Sequence, residues 1–243
     1  MLRKIIFHYH LFKNAGTSVD RLLAENFPAK WVSKEFTGPH SSRRRDVNQW
    51  VLNEGDAVAF SSHTATPPHT GIENVEVFPI CFVRHPIDRI ASAYAFERRQ
   101  NQYSFGSVLA RNTSLAGYIN IHLSMGHDGQ CRNFLLSHLE LLSDAVGKDR
   151  EARAIDAVEA LTFIGVVEHY PESIRRLAAW LVPHFPGFLS HVYAANASSD
   201  RAVSLEDRLA LIKQEIGSDL YLKVTEANKA DMRLFEMIRK RYA

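Results

Sequence analysis

Ile5-Ile6-Phe7-His8-Tyr9-His10-Leu11-Phe12-Lys13-Asn14-Ala15-Gly16-Thr17-Ser18-Val19 reads as an apolar, aromatic-rich strand that ends in a short polar turn. Leu22 and Leu23 continue from Val19 at helical spacing, so a helix is expected from about Thr17 to Asn26, ending before Pro28. Ala15 and Gly16 remove side-chain bulk at the bend and let backbone N–H groups come close to a ligand. Thr17 and Ser18 place hydroxyls at a helix start, where unpaired N–H groups and the positive end of the dipole favour an anion. Lys13 adds a point charge on a long stem. Together these features make a phosphate cradle. The plainer alternative is an ordinary strand-to-helix turn capped by Thr17 or Ser18.

Working outward, Lys30 to Phe36 is a plausible second strand. Asp56 to Ser62 is a short buried strand that delivers His63, and Val75 to Arg84 is the clearest core strand, with Pro79 expected near its beginning. Thr162 to Glu168 is a further buried strand. Helices are expected in between: through Val47, Trp50, Val51 and Leu52, from Pro86 onward, over much of 104–142, over Ala152 to Leu161 and over Ser173 to Leu181. Irregular loops are expected over Thr64 to Gly71, with Pro67-Pro68, and around Asn196 to Ser199. Two closing helices follow, Leu205 to Ile216 and Asp219 to about Tyr242. Apolar strands alternating with helices imply an α/β fold with a mainly parallel sheet covered on both faces. In such sheets ligands bind beyond the carboxyl ends of the strands, where the His10 to Ser18 stretch, His63 and Arg84 all fall.

The 243 residues suffice for one substantial core, so a single domain over 1–243 is expected. A hydrophobic share of 46% and a charged share of 23% describe an ordinary soluble protein. A net charge of +2 argues against a general nucleic-acid binder, so any basic site must be made by a few placed cations. The run Arg43-Arg44-Arg45 either faces an acidic acceptor or is a solvated helix entry. The two cysteines, Cys81 and Cys131, make no disulfide framework, and Cys81 reads as a small buried hydrophobe. A reducing, cytoplasmic location is therefore expected; no apolar stretch is long enough to span a bilayer, and the N-terminus enters a strand too soon to leave room for a signal peptide.

The second informative stretch is Arg84-His85-Pro86-Ile87-Asp88-Arg89-Ile90-Ala91-Ser92-Ala93-Tyr94. Arg84 leaves the strand as a fork of donors suited to a phosphate, and Ser92 lies further along the next helix. Alternatively, Arg84 pairs with a local acid and Ser92 is a helix-surface residue. The first stretch lacks the lysine placement of P-loop NTPases, since Lys13 precedes Gly16. The two stretches resemble instead the 5′-phosphosulfate loop and the 3′-phosphate motif of sulfotransferases that use 3′-phosphoadenosine 5′-phosphosulfate (PAPS). They are most similar to the glycan-modifying branch that includes heparan sulfate 2-O-sulfotransferase. Ser61-Ser62-His63, Gln130-Cys131-Arg132-Asn133-Phe134-Leu135 and Phe163-Ile164-Gly165-Val166-Val167-Glu168 extend the likeness, which covers roughly residues 5–180. Phe12 stands where proline is usual and Cys131 where threonine is.

The resemblance implies a P-loop-NTPase-like three-layer fold and transfer of a sulfuryl group from PAPS to an acceptor hydroxyl of a carbohydrate or other small molecule. It implies that Lys13 neutralises the leaving 5′-phosphate and that Asn14, Ala15, Gly16, Thr17 and Ser18 form the loop holding it. Arg84 and Ser92 would fix the 3′-phosphate, with Arg132 near the nucleotide. His63 is the candidate general base, its alternative being a histidine that caps a strand or orders the following loop. Glu168 is a second candidate base or the partner of Arg132 or another cation. Among twelve histidines, His8 and His10 share a strand face and His63 and His69 one loop. No cysteine or carboxylate completes a convincing ligand set, so no metal is expected. A P-loop-type kinase and a non-catalytic sensor of phosphoadenosine nucleotides are the competing functions.

Overall fold

The structure is a computed structural model that describes residues 2–65, 72–126, 128–143, 147–191 and 204–242, the side chains of His40 and Ser41 excepted. The expected loop segments at Pro67-Pro68, with His69, and at Asn196 to Ser199 lie outside the described residues. Five strands make one all-parallel sheet in the order β2-β3-β1-β4-β5: β1 (Arg3–Tyr9), β2 (Trp31–Ser33), β3 (Ala59–Ser62), β4 (Val75–Val83) and β5 (Phe163–Val166). The chain leaves β1 toward one edge of the sheet and passes from β3 to β4 across it. That reversal makes the carboxyl end of β1 the switch point of the sheet. The α/β class expected from the sequence is what the chain adopts.

The described residues form two compact units, each assembled from separated segments. The first, Met1–Val83, His138–Asn196 and Ile238–Ala243, holds the whole sheet. Side chains of β1 alternate, so Ile6 faces Val19, Leu22 and Leu23 of helix α1 (Gly16–Asn26) in a core that also takes Ile174, Leu177 and Leu181 of α8 (Tyr170–Leu181). Phe7 points to the opposite face, where Trp50 of α2 (His40–Asn53) meets it edge-on at 6.2 Å and Phe60 at 4.9 Å. Helices thus cover both faces of the sheet.

The second unit, Arg84–Ser137 and Ala197–Met237, is helical: α3 (Pro86–Arg99), α4 (Phe105–Asn112), α5 (Leu115–Ser124), α9 (Leu205–Ile216) and α10 (Ser218–Ala227) enclose a core of Ile87, Ile90, Tyr118, Ile119, Ile216 and Val224. Pro86 opens α3, as its fixed φ and missing N–H suit a first turn. Ser104, Ser114 and Ser204 cap α4, α5 and α9 through their hydroxyls. The remaining helices are α6 (Phe134–Leu139), α7 (Arg150–Ala160) and α11 (Lys229–Tyr242). No described helix is long and apolar enough to cross a membrane.

Several boundaries differ from the sequence reading for identifiable reasons. Pro79 sits in the middle of β4, paired with Phe7, because β5 runs beside β4 only from Ile80 onward and leaves one side of position 79 without a described strand partner. β2 stops at Ser33 because Glu35 turns to accept bonds from the His63 segment. The three arginines lie inside α2 rather than before it. β5 ends at Val166, and Glu168 belongs to a 3₁₀ turn, Val167–His169. The closing helix is two helices. Buried Asn228 breaks it by donating to the carbonyls of Cys131 (2.7 Å) and Val224 (2.8 Å) and accepting from the Asn133 N–H (2.9 Å).

Candidate functional site

The carboxyl ends of β1 and β3 lie side by side, with Tyr9 opposite Ser62, and the His10 N–H donates to the Ser62 carbonyl (3.0 Å). His10 and His63 therefore emerge together, their rings 3.7 Å apart between centroids. The period of two along β1 sets His8 and His10 on the α1 side, with rings 5.2 Å apart and nearly parallel. On α1, Gly16 and Asp20 are four residues apart and so share a face. The His10 ring lies across the bare Cα of Gly16, where a Cβ would meet its Cδ2 at 1.8 Å. One turn on, Asp20 reaches both imidazoles, Oδ1 to His8 Nδ1 and Oδ2 to His10 Nδ1, at 2.7 Å each.

Burial alone would raise the Asp20 pKa, but the His8 charge and hydrogen bonds to both rings outweigh it and hold the carboxyl well below the usual carboxylate range. Burial lowers the pKa of His10, against the pull of Asp20 and Glu35. Burial and the nearby His10 lower that of His63 as well. Glu35 caps the end of β3, accepting from the His63 N–H (3.0 Å) and the Thr64 hydroxyl (2.8 Å). Behind the cluster, Trp31 Nε1 donates to Ser61 Oγ (3.0 Å), which lies 3.4 Å from His8 Nδ1.

The loop between β1 and α1 carries two non-glycine residues in the left-handed region, Lys13 (φ 63°) and Ala15 (φ 63°, ψ 12°). Each costs about 1–2 kcal/mol. Left-handed residues in such a turn aim successive N–H groups to one side, making a concavity that suits anions. The first turn of α1 adds N–H groups that have no intrahelical partner. Two expected loop residues have other work. Buried Asn14 fastens the turn by donating to the Phe12 carbonyl (2.9 Å), and the N–H of buried Ser18 goes to the Ala15 carbonyl (2.9 Å). Lys13, Ala15, Gly16 and Thr17 make up the rest of the expected cradle. Gly16 serves first to seat the His10 ring.

In the second unit, Arg84 follows β4 directly, and its Nε donates to Asp88 Oδ2 at 2.7 Å, so the local acid pair foreseen as an alternative is present. Asp88, 3% exposed, is also held by Arg208 of α9, Nε to Oδ1 at 3.1 Å. Burial would raise the Asp88 pKa, but Arg84 and Arg208 together lower it. Ser92 is half-buried on α3. Arg132 donates to the Leu123 carbonyl (2.9 Å), fastening the chain between α5 and α6. Cys81 and Cys131 are buried free thiols pushed up to about 12 by burial, which removes them as nucleophiles.

The sequence reading missed Asp20, Glu35 and Arg208. Asp20 supplies the carboxylate that the histidines lacked, so the expectation of an incomplete ligand set is corrected: His8, His10 and Asp20 each offer a ligand atom, all within 4.8 Å of one another. The signal was the pairing of an i, i+2 histidine pair with a Gly-x-x-x-Asp one turn into the next helix.

No family model matches the chain. It is 39% identical over 248 residues to an uncharacterized protein of Archaeoglobus fulgidus, a match covering 98% of this chain and 97% of that one. The chain belongs to the same family as this archaeal protein.

Proposed function

We propose that the chain is a PAPS-dependent sulfotransferase acting on a hydroxyl of a carbohydrate or other small molecule. The observation that carries the reading is the β1–α1 loop. It stands at the switch point of a parallel sheet, carries Lys13, and is held in a strained left-handed conformation that ends in a helix N-terminus, a setting that favours anions. Strain of this kind persists where the surrounding fold enforces it, and it gathers at sites that bind.

In the proposed reaction the acceptor oxygen forms a bond to sulfur as the bond from sulfur to the 5′-phosphate oxygen breaks in line. The acceptor hydroxyl gives its proton to a base, and the nucleotide leaves as 3′-phosphoadenosine 5′-phosphate. Positioning and charge stabilisation do most of the work. Lys13 and the N–H groups of Ala15, Gly16 and Thr17 take the charge that develops on the leaving phosphate. His63, delivered to the same rim by β3, accepts the proton, a service worth about 10²- to 10⁴-fold. The resemblance assigns the 3′-phosphate to Arg84 and Ser92.

The test compares thermal stabilisation by 3′-phosphoadenosine 5′-phosphate with that by ATP and Mg²⁺, followed by transfer from labelled PAPS to a glycan panel. Stabilisation by the bisphosphate, weakened by Lys13→Ala and separately by Arg84→Ala, is the expected result. Preference for ATP would replace the reading with a kinase. Bisphosphate binding without turnover on the panel, unchanged in His63→Ala, would favour a sensor or an acceptor outside the panel. Wild-type binding in Lys13→Ala would remove the loop assignment.

A further inference from the structure

The geometry points to a second site, independent of the nucleotide reading: a divalent first-row transition ion, of the zinc or cobalt kind, bound by His8, His10 and Asp20 at the carboxyl end of β1. Two imidazoles and one carboxylate are borderline donors that suit such ions and leave coordination positions open, whereas Mg²⁺ and Ca²⁺ take oxygen shells. The three ligand atoms lie within 4.8 Å of one another, and each imidazole Nδ1 stands 2.7 Å from its own Asp20 oxygen, His8 from Oδ1 and His10 from Oδ2. Bonds of about 2.0–2.2 Å to nitrogen and oxygen place neighbouring ligand atoms roughly 3.4 Å apart around a tetrahedral ion. Widening each present contact by roughly 0.7 Å reaches that spacing.

The surroundings favour a cation. Glu35 adds a second carboxylate to the rim, and both of its oxygens already hold the His63 N–H. The ligands are pre-positioned. His8 is 1% exposed and braced by the Ser61–Trp31 pair, and His10 is seated over Gly16, where a side chain would expel it. This supporting layer orients first contacts as it does in known metal sites. The Nδ1 of each ring now faces an oxygen of Asp20, so an ion bound at these atoms takes the place of the contacts the rings make with the carboxylate.

The experiment titrates the chelator-treated full chain with ZnCl₂ and CoCl₂ by calorimetry, with the visible spectrum of Co²⁺ as a second readout. Expected are one ion per chain, d–d bands of low symmetry and no competition from Mg²⁺. His10→Ala and Asp20→Asn should each weaken binding on the order of 100-fold or more while the chain keeps its circular dichroism. His184→Ala, which removes an imidazole elsewhere in the same unit, should bind like the wild type. Absence of binding overturns the site. So does binding that both variants retain, since twelve histidines offer other places for an ion. If Asp20→Asn fails to fold, His10→Ala alone decides. Nucleotide binding plays no part in the readout, so each proposal can fail without the other.

Discussion

Asp20 and Asp88 occupy the same kind of position with opposite partners. Each is a shielded carboxylate held from two sides, Asp20 by the imidazoles of His8 and His10, Asp88 by the guanidiniums of Arg84 and Arg208. Guanidinium stays charged at any ordinary pH, offers only donors and holds no metal. The Asp88 cluster is therefore a fixed clamp joining α3 to α9. Imidazole exchanges protons near neutrality and presents lone pairs. The Asp20 cluster pairs its carboxylate with groups that can also serve a metal ion. The difference lies in the partners, since both carboxylates are displaced in the same direction.

The sharpest way to break the comparison is Asp88→Ala, which leaves two shielded guanidiniums facing one another. Removing one partner of a buried ionic group costs about 3–5 kcal/mol, and a urea midpoint at pH 7 reads it directly. A loss under 1 kcal/mol would mean that the arginines find solvent and that the clamp is ornamental. The next effect separates the clamp from its neighbour His85, which burial lowers to about 4 despite Asp88 and Glu236, with Arg84 and Arg208 adding to the depression. A histidine whose folded pKa lies below its unfolded one binds fewer protons when folded. Its stabilisation is full above about pH 6.5, declines as the pH falls and levels off below about 4, for a total of about 3 kcal/mol. Denaturation curves across that window should show this slope, and His85→Gln should flatten it. An unchanged slope in that variant would place the acid sensitivity elsewhere.

Asp20→Asn keeps the shape of its cluster and removes the charge, so the loss should be smaller, about 1.5–3 kcal/mol. A cost equal to that of Asp88→Ala would show that the two clusters are alike in rigidity. The smallest change is Gly16→Ala. Overpacking against His10 costs about 1–3 kcal/mol. Its signature is a displaced His10 ring resonance with His85 unmoved.

How much of this was legible in the chain varies with the range of the interaction. The strand from Ile5, the turn at Lys13 to Gly16 and the helix after it follow from local periodicity and residue size, and the structure has them in place. Arg84 and Asp88 stand four apart on one segment, so the sequence held their pairing open as an alternative. Arg208 lies 120 residues away and gives no local sign of joining them. Glu35 reads as strand, yet it leaves β2 early to cap β3.

Periodicity, turn chemistry and apolar content determined the parallel α/β class and the place of the β1–α1 loop, because a strand or helix is specified by neighbours within a few residues. Only the tertiary structure decided that Asp20 meets His8 and His10, that His10 rests on Gly16, and that Pro79 is tolerated in the middle of β4. Each of these depends on how a helix or strand sits against its neighbour. That register is fixed by packing of the sheet faces, and contacts between distant residues leave no mark on the spacing of either partner.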